Sequence, residues 1–247
     1  FSDDGWMPSV EVAYTTGAWS AAVQAKQAWT AASAGNLEQE AQEALQYQLA
    51  VAYKQDALAM AMTAYMHDYD NQHVGCMFGM VCDYEQITLQ ENIQDVTVTG
   101  IDLSAEYSLM FDRFSIPLKA KYQYTQAEAD SGYCSNSNGC FEGETQLPWV
   151  PKQQLALSSG VVVGNVSVMA QALYQSELEY SGNLVNLGSI DSQWKIDLAA
   201  NYQITEQHEV YLRVENLFDE TLVANRTLAG LQAQSEMTTY VGYQARF

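Results

Sequence analysis

The chain is 247 residues long and acidic, with 30 Asp and Glu against 10 Lys and Arg and a net charge of −20. So few cations argue against nucleic acid as a partner, because phosphate binding depends on Lys and Arg displacing counterions. A mean hydropathy of −0.20, with no apolar run near the roughly 18 to 20 residues of a spanning helix, excludes a helical membrane protein.

The opening segment, FSDDGWMPSV, lacks the basic start and apolar core of a secretory signal. The expectation is a processed chain or a piece of a longer one. Between 36 and 66 two readings compete. NLEQEAQEALQYQLAVAYKQDALAMAMTAYM is rich in helix formers, and Asn36 could serve as an N-cap. Yet Leu45, Tyr47, Leu49, Val51 and Tyr53 alternate with Gln46 and Gln48, and Leu58, Met60, Met62 and Ala64 resume after a short turn. The alternation favours a β-hairpin, since strand preference is set by context more than by backbone taste.

Further along, Ile116, Leu118, Ala120, Tyr122 and Tyr124 oppose Lys119, Lys121 and Gln123. In WKIDLAANYQI, residues Trp194, Ile196, Leu198, Ala200, Tyr202 and Ile204 share one face. Val210, Leu212 and Val214 oppose Tyr211, Arg213 and Glu215, and the terminal TTYVGYQARF sets Val241, Tyr243 and Ala245 against Gly242, Gln244 and Arg246. About eleven such strands are predicted. Their connections alternate between tight (near 15–18, 54–57, 110–113, 162–165 and 205–208) and long (30–43, 69–93, 127–150, 176–191 and 218–236). That is the signature of an up-and-down transmembrane β-barrel, with short turns at one rim and long loops at the other.

The cations give an independent check, because one on the lipid face near the midplane costs about 2–4 kcal/mol. Lys26, Lys119, Lys121, Lys195, Arg213 and Arg246 all fall on polar faces; Lys54 and Arg113 fall in tight turns, Lys152 at a strand start and Arg226 in a long loop. Aromatic residues such as Trp19, Tyr53, Tyr107, Trp194 and Tyr202 gather at strand ends, as interface girdles require. Cys76 with Cys82, and Cys134 with Cys140, form two local pairs, each with five residues between. That spacing exceeds the two to four of paired zinc ligands and favours loop-pinning disulfides, hence an oxidising compartment, over a four-thiolate metal site.

At YLRVENLFDETLVANRTLAG (211–230), followed by the terminal strand, the chain resembles the last strands of TonB-dependent outer-membrane transporters. That family carries an Asn-Leu-Phe-Asp element, here Asn216 to Asp219, and ends on an aromatic residue, here Phe247. VTVTGIDLSAEYSL resembles another recurring strand, with Gly100 and Glu106 in matching places, and the ferric citrate and siderophore branch is the nearest. The resemblance implies an all-β, antiparallel barrel segment, with residues 1–247 the C-terminal portion of a 22-stranded barrel and the plug domain and N-terminal strands absent. It places the chain in the cell outer membrane. It implies active transport of a scarce nutrient, a ferric siderophore or related small iron chelate, with no cofactor and no enzymatic step. The implied partners are the TonB complex acting through the plug, the barrel-assembly machinery reading Phe247, Tyr243 and Val241, and lipopolysaccharide with outer-membrane lipid.

Loop residues Tyr69, His73, Phe78, Tyr133, Phe141, Trp149 and Arg226 are the candidate substrate contacts, and Lys119, Lys121, Lys195, Arg213 and Arg246 the candidate lumen cations facing the plug. The many loop carboxylates read as a solvated surface beside lipopolysaccharide, with no metal site. His67, His73 and His208 are dispersed, and no Gly-x-Ser-x-Gly or His-Glu-x-x-His element occurs. A passive porin-like channel and a structural or adhesive barrel are the alternatives.

Overall fold

The computed structural model describes residues 6–31, 41–71, 73–75, 90–92, 95–129, 133–135, 139–141, 146–147, 150–181, 187–227 and 230–246. Eleven long strands form one sheet: β1 (Ser9–Thr16), β2 (Trp19–Thr30), β3 (Gln42–Gln55), β4 (Leu58–Asp70), β5 (Val96–Met110), β6 (Ser115–Ala129), β7 (Gln153–Val163), β8 (Val166–Gln175), β9 (Gln193–Thr205), β10 (His208–Glu215) and β11 (Thr238–Ala245). Each is hydrogen-bonded to the next in chain order, and every pairing is antiparallel. The described part of the segment with high helix propensity, 41–66, is therefore in the β3–β4 hairpin, because alternation gives its leucines, tyrosines and methionines a common face that a helix would scatter.

One rim carries tight turns. Gly17, Asp56 and Gly164 adopt positive φ (54°, 49° and 52°) at the first position of two-residue connections, the conformation that hairpin turns demand and that favours Gly, Asn and Asp. The turn between β9 and β10 instead absorbs a register shift between Gln203 and Thr205. A longer turn joins β5 to β6, where the Phe111 and Phe114 rings stack at 4.5 Å. The opposite rim carries the long connections, each of four containing a small hairpin the sequence pattern did not reveal: His73–Gly75 with Gln90–Asn92, Tyr133–Ser135 with Gly139–Phe141, Leu178–Ser181 with Leu187–Ile190, and Val223–Thr227 with Gly230–Ala233. Lys54 lies inside the end of β3 and not in the turn that follows.

Register sorts the side chains. The row Val12, Val23, Leu49, Ala64, Ile101 crosses the first five strands on one face, and the row Leu198, Val214, Thr239 crosses the last three. This apolar face is uncovered: Val12 is 68 % exposed and Val241 79 %. The buried apolar residues among those described are few: Ala44, Ala127 and Ala129 with Val96, Leu178, Ile190 and Leu222. The chain exposes 16030 Å², where a water-soluble globule of 27.4 kDa would expose about 11,000 Å². A sheet that leaves its apolar face bare is stable only against hydrocarbon, with its polar face turned to an aqueous interior. Trp19 and Tyr53 (centroids 4.8 Å apart) near the tight-turn rim, and Tyr174 and Trp194 (4.8 Å) near the long-loop rim, mark the two interfaces.

Candidate functional site: the inner wall and its outer rim

The same register that bares the apolar rows turns Ser, Gln, Asn and charged residues to the inner wall. Within strand bounds that wall carries Glu11, Asp102, Glu106, Asp197, Glu209 and Glu215 against Lys26, Lys54, Lys119, Lys121, Lys195 and Arg213, with Arg246 just past β11. The wall is thus close to neutral, and the net charge of −20 resides in the connections and strand ends. In the sequence of the long-loop rim, Lys152 and Arg226 are the only cations. Lys119 pairs with Glu106 at 3.3 Å with both half exposed, an arrangement worth little in water, whereas Lys195 meets Asp197 at 3.2 Å in more sheltered surroundings.

In the half of the wall nearer the long loops, β5 to β9 line an open recess of about 670 Å³, to which Ala61 and Thr63 of β4 also contribute. It presents Asp102, Ser104, Lys121, Gln123, Gln154, Gln175, Gln193 and Lys195, with Leu222 and Gln234 contributed by the last long connection. Asp102 Oδ1 has no hydrogen-bond partner among the described residues, and Lys121 makes no ion pair among them. The two sit diagonally on neighbouring strands, since Asp102 pairs with Gln123 and Ser104 with Lys121.

Beside the recess, the inner face of β4 carries three rings in file. Tyr65 and His67 lie with centroids 5.2 Å apart, and His67 and Tyr69 6.2 Å apart edge to face. The Tyr65 hydroxyl bonds Thr125 Oγ1 at 2.9 Å and accepts from Gln123 Nε2 at 3.5 Å, which ties the file to the recess. Its ring lies over Gly100, directly opposite on β5, where a Cβ would overlap the phenol. Tyr211 lies over Gly242 in the same way, with the Arg213 guanidinium 5.4 Å above the ring.

The Asn-Leu-Phe-Asp element builds the neck of the last long connection. Asn216 is 1 % exposed and adopts a left-handed conformation (φ 53°), as does Asp219 (φ 54°). Its amide donates to the carbonyls of Glu220 (2.9 Å) and Ser235 (3.3 Å), and its Oδ1 accepts the Glu220 N–H (3.1 Å). Asp219 Oδ1 accepts the Met237 N–H at 2.7 Å, and Gln193 Oε1 the Val223 N–H at 3.0 Å. Both ends of the connection are thereby fastened, and Leu222 is buried against the recess. Sequence reading singled out this element by resemblance alone; a buried Asn216 and an exposed Asp219, both left-handed and both bonded to backbone across the neck, are what carry its capping role.

Of the candidate contacts, Tyr69 stands on the inner wall against Val96. His73, Tyr133, Phe141 and Arg226 fall within strands of the small loop hairpins, while Phe78 and Trp149 lie outside the described residues. Lys119, Lys121, Lys195 and Arg213 share the inner wall, with the first two on β6 and the others on β9 and β10. Tyr243 and Val241 face outward on β11, and Phe247 lies outside the described residues. Cys134 and Cys140 are direct register partners; Cys76 and Cys82 lie outside the described residues. No group of three or more potential metal ligands occurs among the described residues.

An open antiparallel meander with an apolar outside, a polar inside and long loops at one rim defines a wall of an outer-membrane β-barrel. Residues 1–217 match the family "TonB dependent receptor-like, beta-barrel", and the chain belongs to that family. It is an outer-membrane protein, as TonB-dependent receptor barrels are. A comparison with curated proteins gives no match. Among solved structures, the siderophore receptor PiuA from Acinetobacter baumannii superposes with a TM-score of 0.73 at 17 % identity, over 96 % of this chain and 35 % of that one. The pyoverdine receptor FpvA from Pseudomonas aeruginosa gives 0.73 at 16 %, over 98 % and 36 %. The ferric enterobactin receptor PfeA from the same organism gives 0.70 at 13 %, over 98 % and 40 %. The chain thus spans 35 to 40 % of the length of these structures. The family and these neighbours are transport receptors, not enzymes.

Proposed function

We propose that the chain is the C-terminal part of the barrel of a TonB-dependent receptor that imports a ferric siderophore or related small iron chelate, and that it performs no chemistry on its cargo. The observation that carries this reading is the family match over residues 1–217 on a sheet whose strands β1 and β11 each have one edge unpaired among the described residues. In hydrocarbon such edges cost several kcal/mol for each unsatisfied backbone group, so further strands must complete the circumference. In this reading a plug domain occupies the bore beneath the recess and contacts the TonB complex. The lumen cations Lys119, Lys195, Arg213 and Arg246 neutralise wall and plug carboxylates, and Lys121 faces the recess. The outer loops admit the chelate beside lipopolysaccharide, and the terminal strand with Tyr243, Val241 and Phe247 is what the assembly machinery engages.

The test has two stages. The coding sequence upstream is read for a plug-like domain and a short TonB-contacting segment, both expected there. Deletion of the whole gene is then scored for growth under iron limitation on defined ferric chelates. Loss on one chelate, restored by complementation, is the expected result; undiminished growth on every chelate would overturn the reading.

A further inference from the structure

We propose that the recess between β5 and β9 takes an iron chelate of zero or positive net charge, with amide or hydroxamate oxygens at its periphery, in preference to a trianionic tris-catecholate. The proposal rests on the receptor reading above and names its substrate class.

Three observations carry it. The charged groups of the recess cancel: Asp102 and Lys121 are both unpartnered among the described residues, and Lys195 is held by Asp197 at 3.2 Å. A trianion would find one free ammonium there and, beside it, one free carboxylate. The remaining polar lining is neutral amide, led by Gln154 and Gln175. Amides both donate and accept, and so match carbonyl and hydroxamate oxygens without requiring a formal charge. Finally, the chelate must pass a rim where the chain's acidic excess is concentrated and only Lys152 and Arg226 oppose it. Such a field raises the encounter rate of cations and lowers that of anions. The rings of Tyr65, His67 and Tyr69 next to the recess would stack with a catechol as readily as with an apolar linker, so charge is the discriminating term.

The experiment uses the full-length receptor in outer-membrane vesicles and radio-iron binding. The probes are a linear ferric trihydroxamate bearing a free amine (cationic), a cyclic ferric trihydroxamate (neutral) and a ferric tris-catecholate (trianionic). The first two are expected to bind at least about tenfold tighter than the third, the scale of a unit charge a few ångströms away at intermediate dielectric. Two near-isosteric variants probe the recess itself. Asp102→Asn should weaken the cationic chelate by about tenfold, and Lys121→Gln should strengthen it by a similar factor. Equal or tighter binding of the tris-catecholate overturns the charge preference and leaves the receptor reading standing. Binding of trihydroxamates that neither variant alters removes the recess as their site. Failure to bind any of the three overturns this proposal, and loss of iron-dependent growth in the deletion strain on some other chelate would then keep the receptor reading alone.

Discussion

Asn216 donates its backbone N–H to Asp197 Oδ1 at 2.8 Å, while the other oxygen of the same carboxylate meets Lys195 Nζ at 3.2 Å. One side chain on β9 thus holds the neck of the last long connection and a cation of the inner wall. Asp197→Ala should destabilise the barrel by about 2–3 kcal/mol, because it strands a sheltered ammonium and an N–H together. Asp197→Asn keeps an acceptor for Asn216 and should lose about half of that. Urea unfolding of the full-length receptor in lipid vesicles measures both, and equal effects of the two substitutions would show that the Asn216 bond contributes nothing.

Asn216 itself combines a left-handed backbone with three side-chain hydrogen bonds. Asn216→Ala should cost about 2–4 kcal/mol, through lost bonds and a conformation that alanine tolerates poorly. Asn216→Gly retains the conformation and should cost less. Limited proteolysis supplies the local readout: cleavage between 217 and 237 should accelerate in both variants, and most in the alanine one.

Ala199 and Ala200 are neighbours on β9, and their register partners Arg213 and Leu212 lie on opposite faces of the sheet. Ala200→Arg sets a guanidinium against hydrocarbon and should cost about 2–4 kcal/mol near the midplane. Ala199→Arg points into the aqueous bore and should be far better tolerated. Heat-modifiable mobility of membrane-assembled protein compares the two; similar assembly of both would contradict the assignment of faces.

Gly100 makes room for the Tyr65 ring. Gly100→Val should displace the ring, break its bond to Thr125 and destabilise by about 1–3 kcal/mol, the usual cost of overpacking. Combined with Tyr65→Ala, the same substitution should cost less than the sum of the two, with a remainder from the Tyr124 carbonyl oxygen 2.5 Å from the added Cβ; a double-mutant cycle reads the coupling directly.

Cys134 and Cys140 are directly opposed in the 133–141 hairpin. A disulfide there should leave both cysteines unlabelled by maleimide on intact cells and labelled after reduction, with a gain of two hydrogen atoms in mass on the tryptic peptide 122–152 that holds both. Immediate labelling without reductant would exclude the bridge.

The architecture was legible because the bilayer imposes one rule on every strand. In 194–204 the alternation of Trp194, Ile196 and Leu198 with Lys195 and Asp197 states the face, and the positions of Gly17, Asp56 and Gly164 state the tight turns. Even the 36–66 stretch yielded to alternation against its helix propensity. What escaped depends on chain crossings that no local window contains. The recess draws Asp102, Lys121, Gln154, Gln175 and Lys195 from five strands, and the fit of Tyr65 over Gly100 spans 35 positions of sequence. The loop hairpins were hidden for another reason: their strands of three to five residues are too short to establish a period.

The rings of Tyr65 and Tyr211 lie across facing glycines, tangential to the wall. Two of the bulkiest residues of the inner wall are therefore folded flat against it like shutters. Anything seated against this wall meets ring faces at these two places, with the Arg213 guanidinium over the second, where upright phenols would have left two posts.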